Sequence, residues 1–253
     1  MLYAIIALLA SLLGACCGLG GGVIVKPALD AFTDRSPAEI SILSAFCVLV
    51  IAITGVLRYT VSRTPFDKKR CLFLGLGAVL GGFAGTKLLD LLLTHAHKAT
   101  VVRVQSILLF LLLGAAILYL SFFKEKRSFH LEHPAAVILA GLLLGTSSAF
   151  LSIGGGPINV AVFVLLFSVS VKEAAVSSLA VILLSQLAKV GTLTFSGSLG
   201  GDLSPLFIML PVAFVGALLG AFLHKKLPEK AVLILYDVAV CGIMALTFYN
   251  ILA

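Results

Sequence analysis

The chain has 253 residues, 60% hydrophobic and only 11% charged, with a formal net charge of +7 and a mean hydropathy of +1.18. An ordinary soluble domain carries about 25% charged residues, and the longest polar stretches, 58–70 and 124–133, are too short to fold alone, so a soluble enzyme or binding domain is excluded. The basic residues lie in short loops between apolar runs, without the clustered face that phosphate binding needs, which excludes nucleic acid as a partner and leaves the lipid bilayer.

In chain order, apolar patterning predicts eight helical segments: 2–33, 39–60, 72–93, 100–122, 134–167, 172–196, 203–223 and 230–252. The fold class is an all-α polytopic membrane protein. In the first segment, Leu13-Gly14-Ala15-Cys16 has the look of a lipoprotein cleavage site, but no positively charged start precedes it. That segment and the fifth each exceed 30 residues, about 48 Å as continuous helix, and each contains a glycine triplet, Gly20-Gly21-Gly22 and Gly154-Gly155-Gly156. Glycine costs about 1 kcal/mol per residue in a helix interior relative to alanine, so each triplet predicts a break and the eight segments become ten.

The triplets lie 134 positions apart, and at the same offset Glu39 falls on Glu173 and Ser44 on Ser178. This is a duplication: an N-terminal repeat over 1–123, a connecting loop over 124–133 and a C-terminal repeat over 134–253. Lysine and arginine counts then test the path of the broken segments. If each crosses once, the two sides carry nine basic residues each. If each is a hairpin turning back at its glycines, Arg58, Arg63, Lys68, Lys69, Arg70, Lys124, Lys126, Arg127, Lys172, Lys225, Lys226 and Lys230 share one side, against Arg35, Lys87, Lys98, Arg103 and Lys189 on the other. The hairpin reading gives each half five segments, an odd number, so the repeats are inverted and both termini face outward. Inverted repeats with broken helices recur in secondary transporters, whose sites lie where the breaks meet. A helix N-terminus there carries about half a positive charge and suits an anion.

At these residues the chain resembles the sulfite exporter TauE/SafE family, also called TSUP, whose mark is a duplicated G-x-G-G-G motif followed by an apolar run. The first copy is Gly18-Leu19-Gly20-Gly21-Gly22; the second, Ser152-Ile153-Gly154-Gly155-Gly156-Pro157, departs at Ser152 and Pro157. The resemblance spans essentially the whole chain and implies transport of a small sulfur-containing or organic anion, such as sulfite, thiosulfate or a sulfonate. The expected location is the cell membrane, specifically a bacterial inner membrane. A half-helix is expected to start at Pro157, since proline suits a first helical turn.

The expected substrate-binding residues are Gly20, Gly21, Gly22, Lys26, Ser44, Gly154, Gly155, Gly156, Asn159, Ser178, Gln186 and Lys189. Polar groups within spans are expensive and default to functional candidates. Asn159 follows the second triplet as a donor to an anion or a helix-packing group; Lys26 holds the corresponding zone of the first half, to neutralise substrate or to reach an interface. Lys189 shares a helix face with Ser185, and Ser44 and Ser178, with Ser41 and Ser177 nearby, are cavity-lining or packing residues. Glu39 and Glu173 close S-x-x-E patterns that read as capping boxes. Gly81/Gly85 and Gly216/Gly220 read as close helix packing. His95/His97 and His130/His133 lack further ligands, and the five cysteines lack metal or disulfide spacing, so no metal and no cofactor is expected. These features together describe a non-enzymatic carrier working by alternating access, with a coupling proton or ion and a homo-oligomer left open. A passive anion channel through the same site and a sulfur-handling enzyme using Cys16 or Cys17 are the competing readings.

Overall fold

The computed structural model describes residues 1–62, 64, 66–95, 98–123, 129–151, 153–195 and 200–252. These form ten α-helices: α1 Leu2–Cys17, α2 Gly22–Phe32, α3 Pro37–Val61, α4 Lys68–His95, α5 Lys98–Leu118, α6 Pro134–Phe150, α7 Gly156–Phe167, α8 Val171–Phe195, α9 Leu206–Lys226 and α10 Glu229–Leu252. The last turn of α5 widens into a π-helical turn, Tyr119–Phe123. Six helices (α3, α4, α5, α8, α9 and α10) are long and apolar enough to cross a membrane. Leu76, Leu80 and Phe83 on α4, Leu111 on α5, and Phe207 and Phe214 on α9 are exposed, an apolar outer surface suited to lipid.

Both broken segments are hairpins. The Arg35 Nε–H donates to the Tyr3 hydroxyl at 2.8 Å, whereas a straight helix would hold these residues about 48 Å apart. In the second half the Phe129 and Leu131 N–H groups donate to the Leu165 and Leu166 carbonyls at 2.6 and 2.8 Å, so the strand of chain entering α6 lies against the end of α7. The hairpins open to opposite sides. Arg35 also meets Asp202 in the α8–α9 connection, on the face that holds the start of α1. On the other face, the Val171 N–H donates to Glu229 and the Lys172 ammonium to the Leu227 carbonyl. Walking the chain between these ties places both termini on the face of Arg35, hereafter the terminal face, and inverts the second half relative to the first.

The halves are interlocked. Helix α1 packs on α9 and α6 on α4, so each half's first helix lies against the other half's fourth, while α3 and α8 pair at the centre. Glycine makes these crossings possible. A Cβ on Gly81 would collide with the Leu142 carbonyl and one on Gly145 with the Ala78 carbonyl; on the other crossing, Gly216 lies against Ser11 and Gly220 against the Leu12 carbonyl. The expected G-x-x-x-G packing is therefore present, and it joins the two halves.

Boundaries differ from the sequence reading by a few residues, for local reasons. Helix α3 begins at Pro37 because Ser36 caps it, its hydroxyl accepting from the Glu39 N–H while the Glu39 carboxylate accepts from the Ser36 N–H. Helix α9 starts at Leu206, later than position 203, behind Pro205, and runs on to Lys226 rather than stopping at 223, with His224, Lys225 and Lys226 in its last turn, where cations suit the helix C-terminus.

The crossing geometry predicts a contrast. Gly81→Ala and Gly145→Ala should each cost about 1–3 kcal/mol through overpacking. Gly82→Ala, whose added methyl meets nothing within 4 Å, should leave stability unchanged or raise it by up to about 1 kcal/mol. Unfolding midpoints of the detergent-solubilised protein check this, and equal losses at all three sites would refute the crossing.

Candidate functional site

The two breaks cross at mid-height of the central pair. Gly18, Gly20, Gly21, Gly154 and Gly155 all have φ between 68° and 82°, the left-handed region that glycine enters without a steric cost. A Cβ on Gly22 would stand 2.8 Å from the Ile153 carbonyl oxygen, and one on Gly156 would overlap the Leu19 carbonyl. At the 134-residue offset these are the same contact made twice. Val48 and Ile51 of α3 and Ile182 of α8, all near the middle of their helices, line the crossing: Val48 and Ile51 face Gly22 and Gly21, and Ile182 faces Gly20.

A helix end leaves carbonyls without intrahelical partners, and away from water each needs one. At the end of α1, the Gly20 N–H donates to Gly14 O at 3.2 Å, the Tyr59 hydroxyl to Ala15 O at 2.5 Å, and the His224 Nδ1–H faces Cys16 O at 2.6 Å. Tyr59 and His224 also stack edge-on at 5.0 Å. At the end of α6, Leu151 and Ile153 N–H groups donate to Ser147 and Ser148 carbonyls, and the Gln105 amide donates to Phe150 O at 2.5 Å. The Tyr236 hydroxyl donates to Pro157 O at 2.8 Å. Tyr59, Gln105, His224 and Tyr236 were absent from the sequence reading: each stands beside another polar or charged residue (Arg58, Ser106, Lys225 and Asp237), so none stood out as an isolated polar group in an apolar run.

The other ends of the breaks are different. Gly21 and Gly155 sit at the N-caps of α2 and α7, and no side chain caps either helix. Both starts therefore keep the positive end of their dipole without a side-chain acceptor. Helix α7 starts at Gly156, one residue before the expected Pro157, because the left-handed Gly155 already closes the cap.

Of the sequence-predicted residues, the structure gathers Gly20–Gly22, Gly154–Gly156, Asn159, Ser178 and Gln186 at the crossing. Asn159 is 3% exposed, and its Oδ1, with no hydrogen-bond partner, faces Gly155; Gln186, 5% exposed, has its Nε2 beside Gly154 and its Oε1 without a partner. The Ser178 hydroxyl donates to Gly18 O at 2.8 Å and lies 3.4 Å from Gly156 O, so it clasps the two breaks rather than facing an open space. Ser44 is buried on α3 and Ser177 on α8. Lys189 lies one turn beyond Gln186 and donates to the Ser41 hydroxyl at 3.1 Å. Lys26 departs from the sequence reading: its ammonium is 3.1 Å from the Asp30 carboxylate, an i,i+4 pair that neutralises it, and it lines a small pocket with Gln105, Ser106, Leu151 and Thr247. Ser152, the first-glycine position of the second motif, lies outside the described residues, as does His97. Among the described residues no group of His, Cys, Asp or Glu has metal-binding geometry.

The seam between α3 and α8 is closed at both ends. Toward the terminal face, Arg35 bonds Asp202 and Tyr3 and lies 3.8 Å from Glu39, while Glu39 accepts from the Asp202 N–H at 3.0 Å. The Arg35 guanidinium, followed by Ser204, holds the Asp202 carboxyl at about 2, so this tie stays charged well below neutral pH. Glu39 is thus both a helix cap and part of a cross-half latch. Toward the other face, Ile51, Tyr59, Val176 and Leu179 pack into an apolar cluster with Ala213 and Ala217 of α9.

Removing a cap from a buried carbonyl should cost about 1–3 kcal/mol. Tyr59→Phe is expected to lower the unfolding midpoint accordingly, and His224→Asn, which keeps a donor near Nδ1, to lose less than His224→Leu. Identical losses for the two histidine variants would remove the capping role.

The sequence model of the family described as Sulfite exporter TauE/SafE matches residues 3–248. The chain is also 23% identical, over 93% of its own length and 92% of the relative's, to the probable membrane transporter protein YunE of Bacillus subtilis (strain 168). With the glycine-broken hairpins matched over almost its full length, the chain belongs to the sulfite exporter TauE/SafE family, a family of membrane transporters.

Proposed function

We propose that this protein is a secondary carrier for a small sulfur-containing or organic anion, of the sulfite, thiosulfate or sulfonate class, working by alternating access at the two crossed breaks. The observation that carries the reading is the pair of helix N-termini without side-chain caps, brought together beside two buried amides. Backbone N–H groups of the first turns of α2 and α7 bind the anion, and Asn159 and Gln186 orient it. Ser44 borders the space from α3.

Closure at both ends of the seam favours a carrier over an open channel. Access from the terminal face requires parting the Arg35–Asp202–Glu39 latch; access from the other face requires parting the apolar cluster around Tyr59. The exchanged pairs α1 with α9 and α4 with α6 are the surfaces on which the two halves rock. An ion gradient or the membrane potential supplies the driving force. The richer set of basic residues on the face opposite the termini orients that face to the cytoplasm, with both termini outside the cell membrane.

In proteoliposomes, sulfite or sulfonate flux should saturate and show counterflow. Gly21→Leu and Gly155→Leu, each forcing a side chain into a left-handed position, should abolish it, and Asn159→Ala should weaken it in a protein that still folds. Replacement of both Cys16 and Cys17 by serine should leave most of the flux. Unsaturable flux would point to a channel, and loss of activity in the double-serine protein to cysteine chemistry. A reporter fused after Ala253 should be silent if it reads the cytoplasm; a cytoplasmic signal would reverse the orientation.

A further inference from the structure

We propose that Lys189 makes the site selective for doubly charged over singly charged anions, on the reading above that the crossed breaks carry an anion. On α8, Ile182 touches Gly20, Gln186 touches Gly154, and Lys189 follows at the next turn, so the three share one face at i, i+4, i+7 spacing. On α3, Ser41, Ser44, Val48 and Ile51 form the matching face, with Val48 and Ile51 against the first break. Lys189 bonds Ser41 across this seam at 3.1 Å. It therefore stands over the breaks on the terminal-face side, inside a helix that spans the membrane.

Among the described residues its charge has no carboxylate partner. The ion pairs among the described residues are Lys26–Asp30, Arg35–Glu39, Arg35–Asp202 and Arg70–Asp67, and Lys189 is in none of them. Lys26, the other cation of the region, is neutralised by Asp30. A cation within a span needs a counter-charge or a polar cavity, and Ser41 supplies only a neutral oxygen. Counting Lys189 as one charge and each helix N-terminus as about half, the crossing holds roughly two positive charges. Asn159 and Gln186, both more than nine-tenths buried, each keep an amide oxygen without a partner, and turning either amide over exchanges that acceptor for the NH2 donor an anion needs. A divalent anion neutralises the crossing; a monovalent one leaves about one charge uncompensated.

Coulomb attraction scales with the product of charges, so a dianion gains about twice what a monoanion gains from the same ammonium. Removing Lys189 should therefore cost the dianion about the square of the factor it costs the monoanion. The test measures dissociation constants by thermal shift of the full-length protein in detergent, at pH 7.5 and constant ionic strength. The probes are sulfate and thiosulfate against methanesulfonate and nitrate. Wild type should prefer the dianions, Lys189→Gln should lower the dianion-to-monoanion affinity ratio by about tenfold, and Lys189→Arg should keep the preference. A ratio unchanged in Lys189→Gln, or a wild type that favours monoanions, overturns the proposal while leaving the carrier reading standing. Failure of every probe both to bind and to cross proteoliposomes overturns the two together.

Discussion

A helix broken inside a bilayer strips backbone groups of their partners in a medium that offers no water, and the rest of this structure follows from how that debt of hydrogen bonds is met. The two ends of each break are treated differently. Carbonyls at the ends of α1 and α6 receive donors from far along the chain: Tyr59 and His224 on one, Gln105 on the other. The helix starts at Gly21 and Gly155 receive no side-chain acceptor. The backbone acceptors at the ends of α1 and α6 are met from within and the starts of α2 and α7 keep no side-chain cap, while the Asn159 and Gln186 amide oxygens stay unpartnered at the same crossing.

The same economy of space explains the interlock. Two breaks can share a crossing only if backbone meets backbone, and the reciprocal contacts of Gly22 with Ile153 and of Gly156 with Leu19 leave no room for a Cβ. Each hairpin then needs walls, and the wall beside each first helix comes from the opposite half: α9 beside α1, α4 beside α6. Glycines on those crossings bring helix axes close while presenting smooth surfaces, a combination suited to one half sliding on the other. In the proposed carrier, motion of either half would move a wall of the other half's break and so couple the site to both faces.

How much was legible beforehand depended on the range of the interaction. The triplets announced breaks because glycine's cost in a helix is local. The capping box at Ser36 and Glu39 was legible for the same reason, four residues sufficing to form it. Even the hairpins, a tertiary feature, could be inferred from twelve basic residues against five, because the membrane sorts charge by side. Illegible were the long-range partners: that Ser178 clasps Gly18 across 160 positions, that Glu39 has a second duty to Asp202, and that Lys189 meets Ser41. The Lys26–Asp30 pair was local and readable at i,i+4 spacing, yet the sequence reading kept Lys26 as a candidate for substrate.

Composition and periodicity by themselves determined that this is a helical membrane protein with two similar halves and a break in each, since hydrophobic length and glycine's conformational freedom act residue by residue. Only the tertiary structure decided that the breaks cross, which polar groups they consume and which they leave unpaired. Those outcomes depend on which helices become neighbours, and that is set by packing between segments more than a hundred residues apart.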